Sequence, residues 1–170
     1  DTIRSCRILL LAHKLGHRML GENDAEINLL QRAVTHALTT AKYAVFYGEG
    51  RDQYDEWGRV AHESVFNTND GAYRCPNSQQ GFSGFTTWTR GLSWAMLGFS
   101  EFLEFLTNEK PEIENLEEIK ETLLKSVTSI CDFYINHSAL DGIPYWDTGA
   151  PNIHRLGNYQ SRNAEIDNAF

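Results

Sequence analysis

The segment 78–99 holds the residues whose types and spacing are best suited to chemistry. A polar, glycine-interrupted stretch leads into a helix whose first turns carry Trp88, Arg90 and Trp94. Backbone N–H groups and the helix dipole favour negative charge at a helix N-terminus, and the arginine adds a planar fork of donors for a carboxylate. The combination suits a flat, oxygen-rich, anionic ligand. A buried aromatic core with an ion-paired arginine accounts for the same residues equally well.

Length, composition and charge narrow the class of protein. The 170 residues are 41% hydrophobic, enough for the core of one domain. A formal charge of −8 without a basic stripe argues against a nucleic-acid partner. No apolar run reaches the roughly 18–20 residues of a membrane span, so no membrane partner is expected. Cys6, Cys75 and Cys131 lack C-x-x-C spacing and predict neither a disulfide framework nor a zinc cluster.

The two ends of the sequence lead us to expect a piece of a longer protein. The chain begins at Asp1 without a methionine and stops at Phe170 without a closing element. Because any leader would have been lost, the compartment stays open between cytoplasm and periplasm. The oligomeric state is open as well.

The spacing of apolar residues, together with helix-capping and helix-breaking residues, predicts four helices. These helices must position the residues of the 78–99 segment. They cover about 2–17, 24–46, 87–107 and 112–137, with Asp24 as the cap of the second. The third helix is apolar on most of its faces and is therefore expected to be buried on several sides.

The connections between the predicted helices differ in length, and this indicates where the polar residues gather. Turns 18–23 and 108–111 are short, whereas loops 47–86 and 138–170 are long and rich in Gly, Asn, Asp, Tyr and Trp. If each short turn joins an antiparallel pair, both long loops and Asp1 collect at one end of two helical hairpins. Long structured loops are usually functional. Further hairpins on either side would complete a toroid.

Several motifs resemble those of a known family. Residues 79–82 (Gln-Gln-Gly-Phe) and 88–94 (Trp-Thr-Arg-Gly-Leu-Ser-Trp) look like the H-Q-G-Y … W-x-R-G-Q-A-W signature of unsaturated glucuronyl hydrolases, with the same gap. These enzymes form glycoside hydrolase family 88 and are related to unsaturated rhamnogalacturonyl hydrolases. Residues 141–147 (Asp-Gly-Ile-Pro-Tyr-Trp-Asp) resemble the family's D-G-[VI]-P-Y-W-D loop. Residues 1–3 (Asp-Thr-Ile) resemble the start of its D-x-M-M-N-L-P-L-L segment.

This resemblance implies an all-α fold, an (α/α)6 barrel in which residues 1–170 supply about two hairpins of a single catalytic domain. It implies a glycoside hydrolase that releases an unsaturated (4,5-ene) uronic acid from an oligosaccharide by hydrating the double bond, without metal or organic cofactor. Asp1 aligns with the acid/base aspartate that protonates C4 and helps water to add at C5. Its structural alternative is the cap of the first helix. A partner aspartate in an H-D-[LI]-G-F-type motif is not found in the sequence and would lie upstream.

The resemblance also implies a set of substrate-binding residues, each with a structural alternative in a solvated loop, the core or an ion pair. The set is Gln79, Gln80, Trp88, Arg90, Trp94 and Trp146. Gln79 replaces the histidine of the signature and Leu92 replaces its glutamine, so two polar recognition groups are lost. A carbohydrate-binding six-hairpin protein without turnover therefore stays open, as does a glycosidase that uses another pair of carboxylates.

Two further clusters are expected to lie outside this chemistry. His13 and His17 have an i, i+4 spacing that suits a metal, but no third ligand is evident, so no metal site is predicted. The run 54–57 (Tyr-Asp-Glu-Trp) is expected to be a loop lid or plain surface, and its acidity disfavours a uronate.

Overall fold

The computed structural model describes residues 2–139 and 141–150, and this part of the chain is rich in helix. Four helices are joined by loops that contain two short antiparallel hairpins and a 3-10 turn at Glu22–Asp24. The elements are α1 (Thr2–Lys14), β1 (Met19–Leu20), β2 (Glu26–Ile27), α2 (Leu29–Tyr43), β3 (Glu63–Phe66), β4 (Tyr73–Asn77), α3 (Thr89–Glu109) and α4 (Leu116–His137). None of the described helices combines the length and apolarity that crossing a membrane requires.

The four predicted helices are present, but the expected start of the second is wrong. The backbone of Asp24 is left-handed, with φ of 55°, and β1 and β2 pair on either side of it. Helix α2 begins only at Leu29, where the Oδ1 of Asn28 accepts the N–H of Gln31 at 3.0 Å. Asn28 is therefore the cap. The two hairpins were not predicted, but they are short and lie in the connections of a helix-rich chain.

The described residues divide into two compact units. The first comprises the described parts of 1–42 and 94–127, and the second comprises those of 43–93 and 128–170. In the first unit, α1 lies close to the backbone of α3, because a Cβ atom at Gly98 would be 2.7 Å from the carbonyl oxygen of Ile3. The Nζ of Lys14 pairs with the Oε1 of Glu109 at 2.7 Å across the same two helices.

In the second unit, the long connection before α3 is an ordered structure. Strands β3 and β4 pair within it, with a register shift between Val65 and Phe66. Nearer α2, the guanidinium carbons of Arg51 and Arg59 each lie 3.5 Å from the ring centroid of the buried Phe46. The connection is therefore well ordered, and its side chains pack against specific neighbours.

The segment before β3 is seated directly on helix α4. The backbone of Gly58 has φ of 81°, and a Cβ atom there would lie 1.8 Å from the carbonyl oxygen of Ser129. The Nε1 of Trp57 donates to the Oδ2 of Asp132 at 3.0 Å. Only glycine allows so close an approach in this conformation.

Candidate functional site

Two loop segments that are distant in sequence lie side by side in the second unit. Trp88 and Asp147 form an antiparallel bridge. On one side of it the N–H of Thr148 donates to the carbonyl of Thr87 at 3.0 Å, and on the other the N–H of Thr89 donates to the carbonyl of Trp146 at 3.1 Å. The segments 78–90 and 141–150 are therefore joined at the start of α3. Both contain residues of the motifs described above.

Thr87 connects this bridge to the segment that precedes β3. Its hydroxyl donates to the carbonyl of Val60 at 3.1 Å and accepts the N–H of Val60 at 3.2 Å. Its own N–H donates to the hydroxyl of Thr148 at 2.9 Å. Thr87 is fully buried, and its three bonds hold three segments together.

Asp147 organises the loop that follows Gln80. Its side chain is fully buried, with Oδ2 accepting the N–H of Phe82 and Oδ1 accepting the N–H of Gly149, both at 2.9 Å. Gly81 fits between Asp147 and Trp88, because a Cβ atom there would lie 2.7 Å from that Oδ2 and 2.8 Å from the Cβ of Trp88. The carboxylate thus fixes the backbone of the motif loop.

His62 is a site residue that the sequence did not reveal. Its ring centroid lies 4.6 Å from that of Trp88, with the planes at 51°. Its Nδ1 accepts the N–H of Gln79 at 3.2 Å and that of Gln80 at 3.4 Å, and lies 3.3 Å from the hydroxyl oxygen of Ser78. This pattern favours the neutral ring with the proton on Nε2. An imidazole therefore stands beside Gln79, the position at which the family signature has its histidine.

The environment of His62 lowers the pKa of its imidazole below the ordinary value. Burial is the main cause, and the nearby Glu63 carboxylate opposes it. As the pH falls through about 6.5, the unfolded chain takes up the proton before the folded chain does. His62 therefore makes the free energy of unfolding decrease toward acid pH.

We predict that His62→Gln weakens the pH dependence of stability. The measurement is the free energy of unfolding in urea at about pH 7.5 and about pH 5.5, on either side of the imidazole's ordinary pKa. The loss between these values should be smaller in the variant than in the wild-type protein. His36, whose pKa burial also lowers, contributes equally to both proteins and cancels in the comparison. Equal losses would contradict the prediction.

Five of the predicted binding residues lie in or beside the joined segments. Gln79 and Gln80 are exposed, and the carbonyl of Gln80 accepts the Nε1–H of Trp146 at 3.1 Å. Trp146 and Arg90 are partly buried, with the guanidinium carbon of Arg90 5.9 Å from the Trp88 ring. Trp88 itself is only 4% exposed, so its ring serves mainly as the base on which His62 rests.

The remaining residues singled out by the motifs lie elsewhere. Trp94 is in the first unit, where the guanidinium carbon of Arg4 lies 4.6 Å from its ring centroid. Leu92 is 1% exposed, so the residue that replaces the signature's glutamine belongs to the core. Asp1 lies outside the described residues. Among the residues that are described, no three His, Cys, Asp or Glu side chains are grouped to hold a metal ion.

The fold is similar to part of several solved structures. An unsaturated glucuronyl hydrolase specific for heparin aligns with 91% of this chain, at a TM-score of 0.63 and 21% sequence identity. A mutant of the unsaturated glucuronyl hydrolase from Streptococcus agalactiae, complexed with dGlcA-GalNAc6S, aligns with 86% at a TM-score of 0.52 and 20% identity. This chain covers 34% and 32% of those two chains. Its fold is therefore similar to that of a segment of an unsaturated glucuronyl hydrolase.

Sequence comparison points to the same proteins. An unsaturated glucuronyl hydrolase of Formosa agariphila is 31% identical over 123 residues, which are 71% of this chain and 26% of the relative. The chain thus spans about a quarter of that relative's length. No protein-family model matches the sequence. The resemblance seen in the motifs is confirmed: the chain is a relative of the unsaturated glucuronyl hydrolases.

Proposed function

We propose that the protein is a glycoside hydrolase that releases an unsaturated (4,5-ene) uronic acid from oligosaccharides by hydrating the vinyl ether double bond. The observation that carries this proposal is the bridge between Trp88 and Asp147, which joins two motif-bearing segments into one structure. The solved relative complexed with dGlcA-GalNAc6S supports an oligosaccharide as the substrate. The four helices and the fold similarity support an (α/α)6 barrel, with residues 1–170 as part of its single catalytic domain.

The uronate carboxylate needs a cation, and Arg90 is the residue we propose for it. Arg90 lies in the first turn of α3, where the helix dipole adds to the attraction for an anion. Partial burial strengthens an arginine–carboxylate pair relative to one in open water, and the planar fork allows two parallel hydrogen bonds. Gln79 and Gln80, both exposed, are proposed to hydrogen-bond the sugar hydroxyls.

His62 extends this proposed binding site. Backbone N–H groups occupy its Nδ1, so Nε2 is the atom that can donate to a ligand. An Nε2–H donor beside Gln79 offers a hydroxyl or ring oxygen an imidazole contact, which glutamine in place of histidine cannot provide. Trp88 and Trp146 are proposed to shape the wall of the site.

For the chemical step we propose Asp1 as the acid and base. Its protonated carboxyl group gives a proton to C4, water adds at C5, and the carboxylate takes back the proton that the water loses. The resulting hemiketal opens to a ketone at C5, and the hemiacetal formed at C1 then releases the second sugar as an alcohol. One water is consumed for each glycosidic bond broken. No metal or organic cofactor enters this scheme.

We predict that Arg90→Lys lowers kcat/KM on an unsaturated glucuronyl disaccharide by about 50-fold, mainly through KM. Lysine keeps the charge but loses the bidentate geometry, and a hydrogen bond to a charged group is worth about 1.5–3 kcal/mol. The reaction is followed by the loss of absorbance of the conjugated double bond in the full-length protein. Arg74→Lys, at an exposed position in β4, is the matched control and should stay within about twofold of wild type.

The same assay distinguishes the alternative, a carbohydrate-binding protein without turnover. Gln79 in place of the signature's histidine favours that alternative, and the imidazole of His62 beside it favours catalysis. Wild-type binding of the disaccharide without loss of absorbance would support the alternative. Neither binding nor turnover on glucuronyl and rhamnogalacturonyl substrates would refute the proposed function. Activity in Arg90→Lys equal to wild type would remove Arg90 from the site.

A further inference from the structure

Two exposed aromatic rings from different loops of the second unit are held against each other. Tyr54 is 50% exposed and Phe85 is 43% exposed. Their ring centroids are 5.2 Å apart, with the planes inclined at 42°. A contact that leaves about half of each ring in water contributes little to folding, because burial of apolar area is what stabilises.

A partly buried ion pair fixes the backbone beneath both rings. The Oδ1 of Asp52 accepts the N–H of Tyr54 at 2.8 Å, and its Oδ2 pairs with the Nη2 of Arg59 at 2.6 Å. The Nη1 of the same Arg59, whose side chain is 3% exposed, donates to the carbonyl of Gly84 at 3.5 Å. One guanidinium therefore ties the Tyr54 turn to the residue before Phe85. Burial of a charged group carries a large desolvation penalty, which the pairing of Arg59 with Asp52 offsets.

The chain at Phe85 is fixed from its other side as well. The N–H of Phe85 donates to the hydroxyl of Ser83 at 3.1 Å. A Cβ atom at Gly84 would lie 2.7 Å from the carbonyl oxygen of Pro76, so the loop is seated tightly on β4. The two rings are thus ordered in advance, which lowers the entropic cost of placing a ligand on them.

The surface of the pair is aromatic, and the charged side chains near it already have partners, since Arg59 pairs with Asp52 and Arg51 donates to the carbonyl of Val45. Arg51 and Arg59 both direct their guanidinium groups onto Phe46. The Asp55 carboxylate, next to Tyr54, accepts the N–H groups of Gly48, Glu49 and Arg51, which hold its pKa below the usual range. Such a surface suits the C–H face of a pyranose ring better than it suits a sulfate or a carboxylate.

Chain continuity connects the pair to the candidate site. Phe85 lies in the segment that begins at Gln79 and whose backbone Asp147 holds at Phe82. We propose that Tyr54 and Phe85 form a platform for the sugar ring that is linked to the uronide, and that this platform favours substrates whose second ring presents an apolar face. The inference rests on the proposed function, because it places the second sugar next to the site assigned to the uronide.

The test compares two substrates in the full-length protein: an unsaturated glucuronyl disaccharide with a neutral second ring, and the methyl glycoside of the same uronic acid. The quantity measured is the ratio of kcat/KM for the disaccharide to that for the methyl glycoside. In Tyr54→Ala and Phe85→Ala this ratio should fall about five- to tenfold, through KM, as expected for loss of an aromatic contact. Phe85→Tyr, which keeps the ring, should retain the ratio.

Phe66→Ala is the matched control, because Phe66 is a 36% exposed aromatic residue that contacts Tyr43 and Tyr73 in the same unit. It should leave the ratio unchanged. An unchanged ratio in both platform variants, or the same fall in Phe85→Tyr, would overturn the platform while leaving the proposed function standing. Absence of wild-type turnover on both substrates would instead refute the proposed function, and the platform with it. If Phe85→Ala fails to fold, Phe85→Leu provides the same comparison.

Discussion

Gly58→Ala should destabilise the protein by about 4 kcal/mol, from the sum of backbone strain and overpacking. The backbone of Gly58 has φ of 81°, where an L-residue with a Cβ atom is strained. The added Cβ would also lie 1.8 Å from the carbonyl oxygen of Ser129 and 2.8 Å from the Cβ of Phe133. Neither contact is with a flexible side-chain end, so the whole segment must lift from α4 to make room.

Gly50→Ala separates the two causes. Gly50 lies in the same connection and has φ of 79°, but no atom lies within 4 Å of its added Cβ. This variant should lose only the backbone part, about 1–2 kcal/mol. Both values are measured as the free energy of unfolding in urea, followed by tryptophan fluorescence. Equal losses in the two variants would show that the segment at Gly58 moves away from α4 at no cost, contrary to the prediction.

Asp147→Asn should lower the free energy of unfolding by about 2–3 kcal/mol and reduce kcat/KM at least tenfold. Both carboxylate oxygens accept backbone N–H groups in a fully buried position. An asparagine has one carbonyl oxygen, so its NH2 group must face the N–H of either Phe82 or Gly149. A buried donor left without an acceptor costs about 1–3 kcal/mol, and the loss of a charge-assisted bond adds to it.

Activity should fall together with stability, because the carboxylate holds the loop that contains Gln80 and Gly81. Asp141→Asn is the matched control: its carboxylate is exposed and accepts a local bond from the N–H of Ile143, at 3.0 Å. That variant should remain within about 0.5 kcal/mol of wild type. Asp147→Asn with the stability and kcat/KM of the control would show that some other contact fixes the loop.

The helices were predictable because each is long and strongly periodic. The error at α2 has a local cause, since strands β1 and β2 are only two residues long and show no alternation that a pattern could detect. The left-handed backbone of Asp24 is equally invisible in the sequence, and it turns an apparent cap into part of a turn. Strands β3 and β4 were missed because they lie inside a segment whose composition is typical of a loop.

The candidate site was predictable only as far as contiguous motifs extend. The motif around Arg90 and the motif that ends at Asp147 were visible, whereas their pairing through Trp88 required the structure. His62 belongs to no motif, and nothing in its own neighbourhood in sequence marks it. Its position follows from the β3–β4 hairpin, which brings Ser78, Gln79 and Gln80 back to its ring. The burial of Trp88 likewise depends on neighbours far away in sequence.

The pairing of Thr87 with Thr148 has a consequence for how the chain folds. These residues are 61 positions apart, so the bond between them closes a long loop that includes all of α3 and α4. Contacts between residues that are far apart in sequence form slowly, because the chain loses the entropy of loop closure before the stabilising contact is made. Helices form from local contacts and are expected to appear first. We therefore expect the arrangement of His62, Gln80 and Asp147 to form late in folding, after the intervening helices have brought the two ends of that loop together.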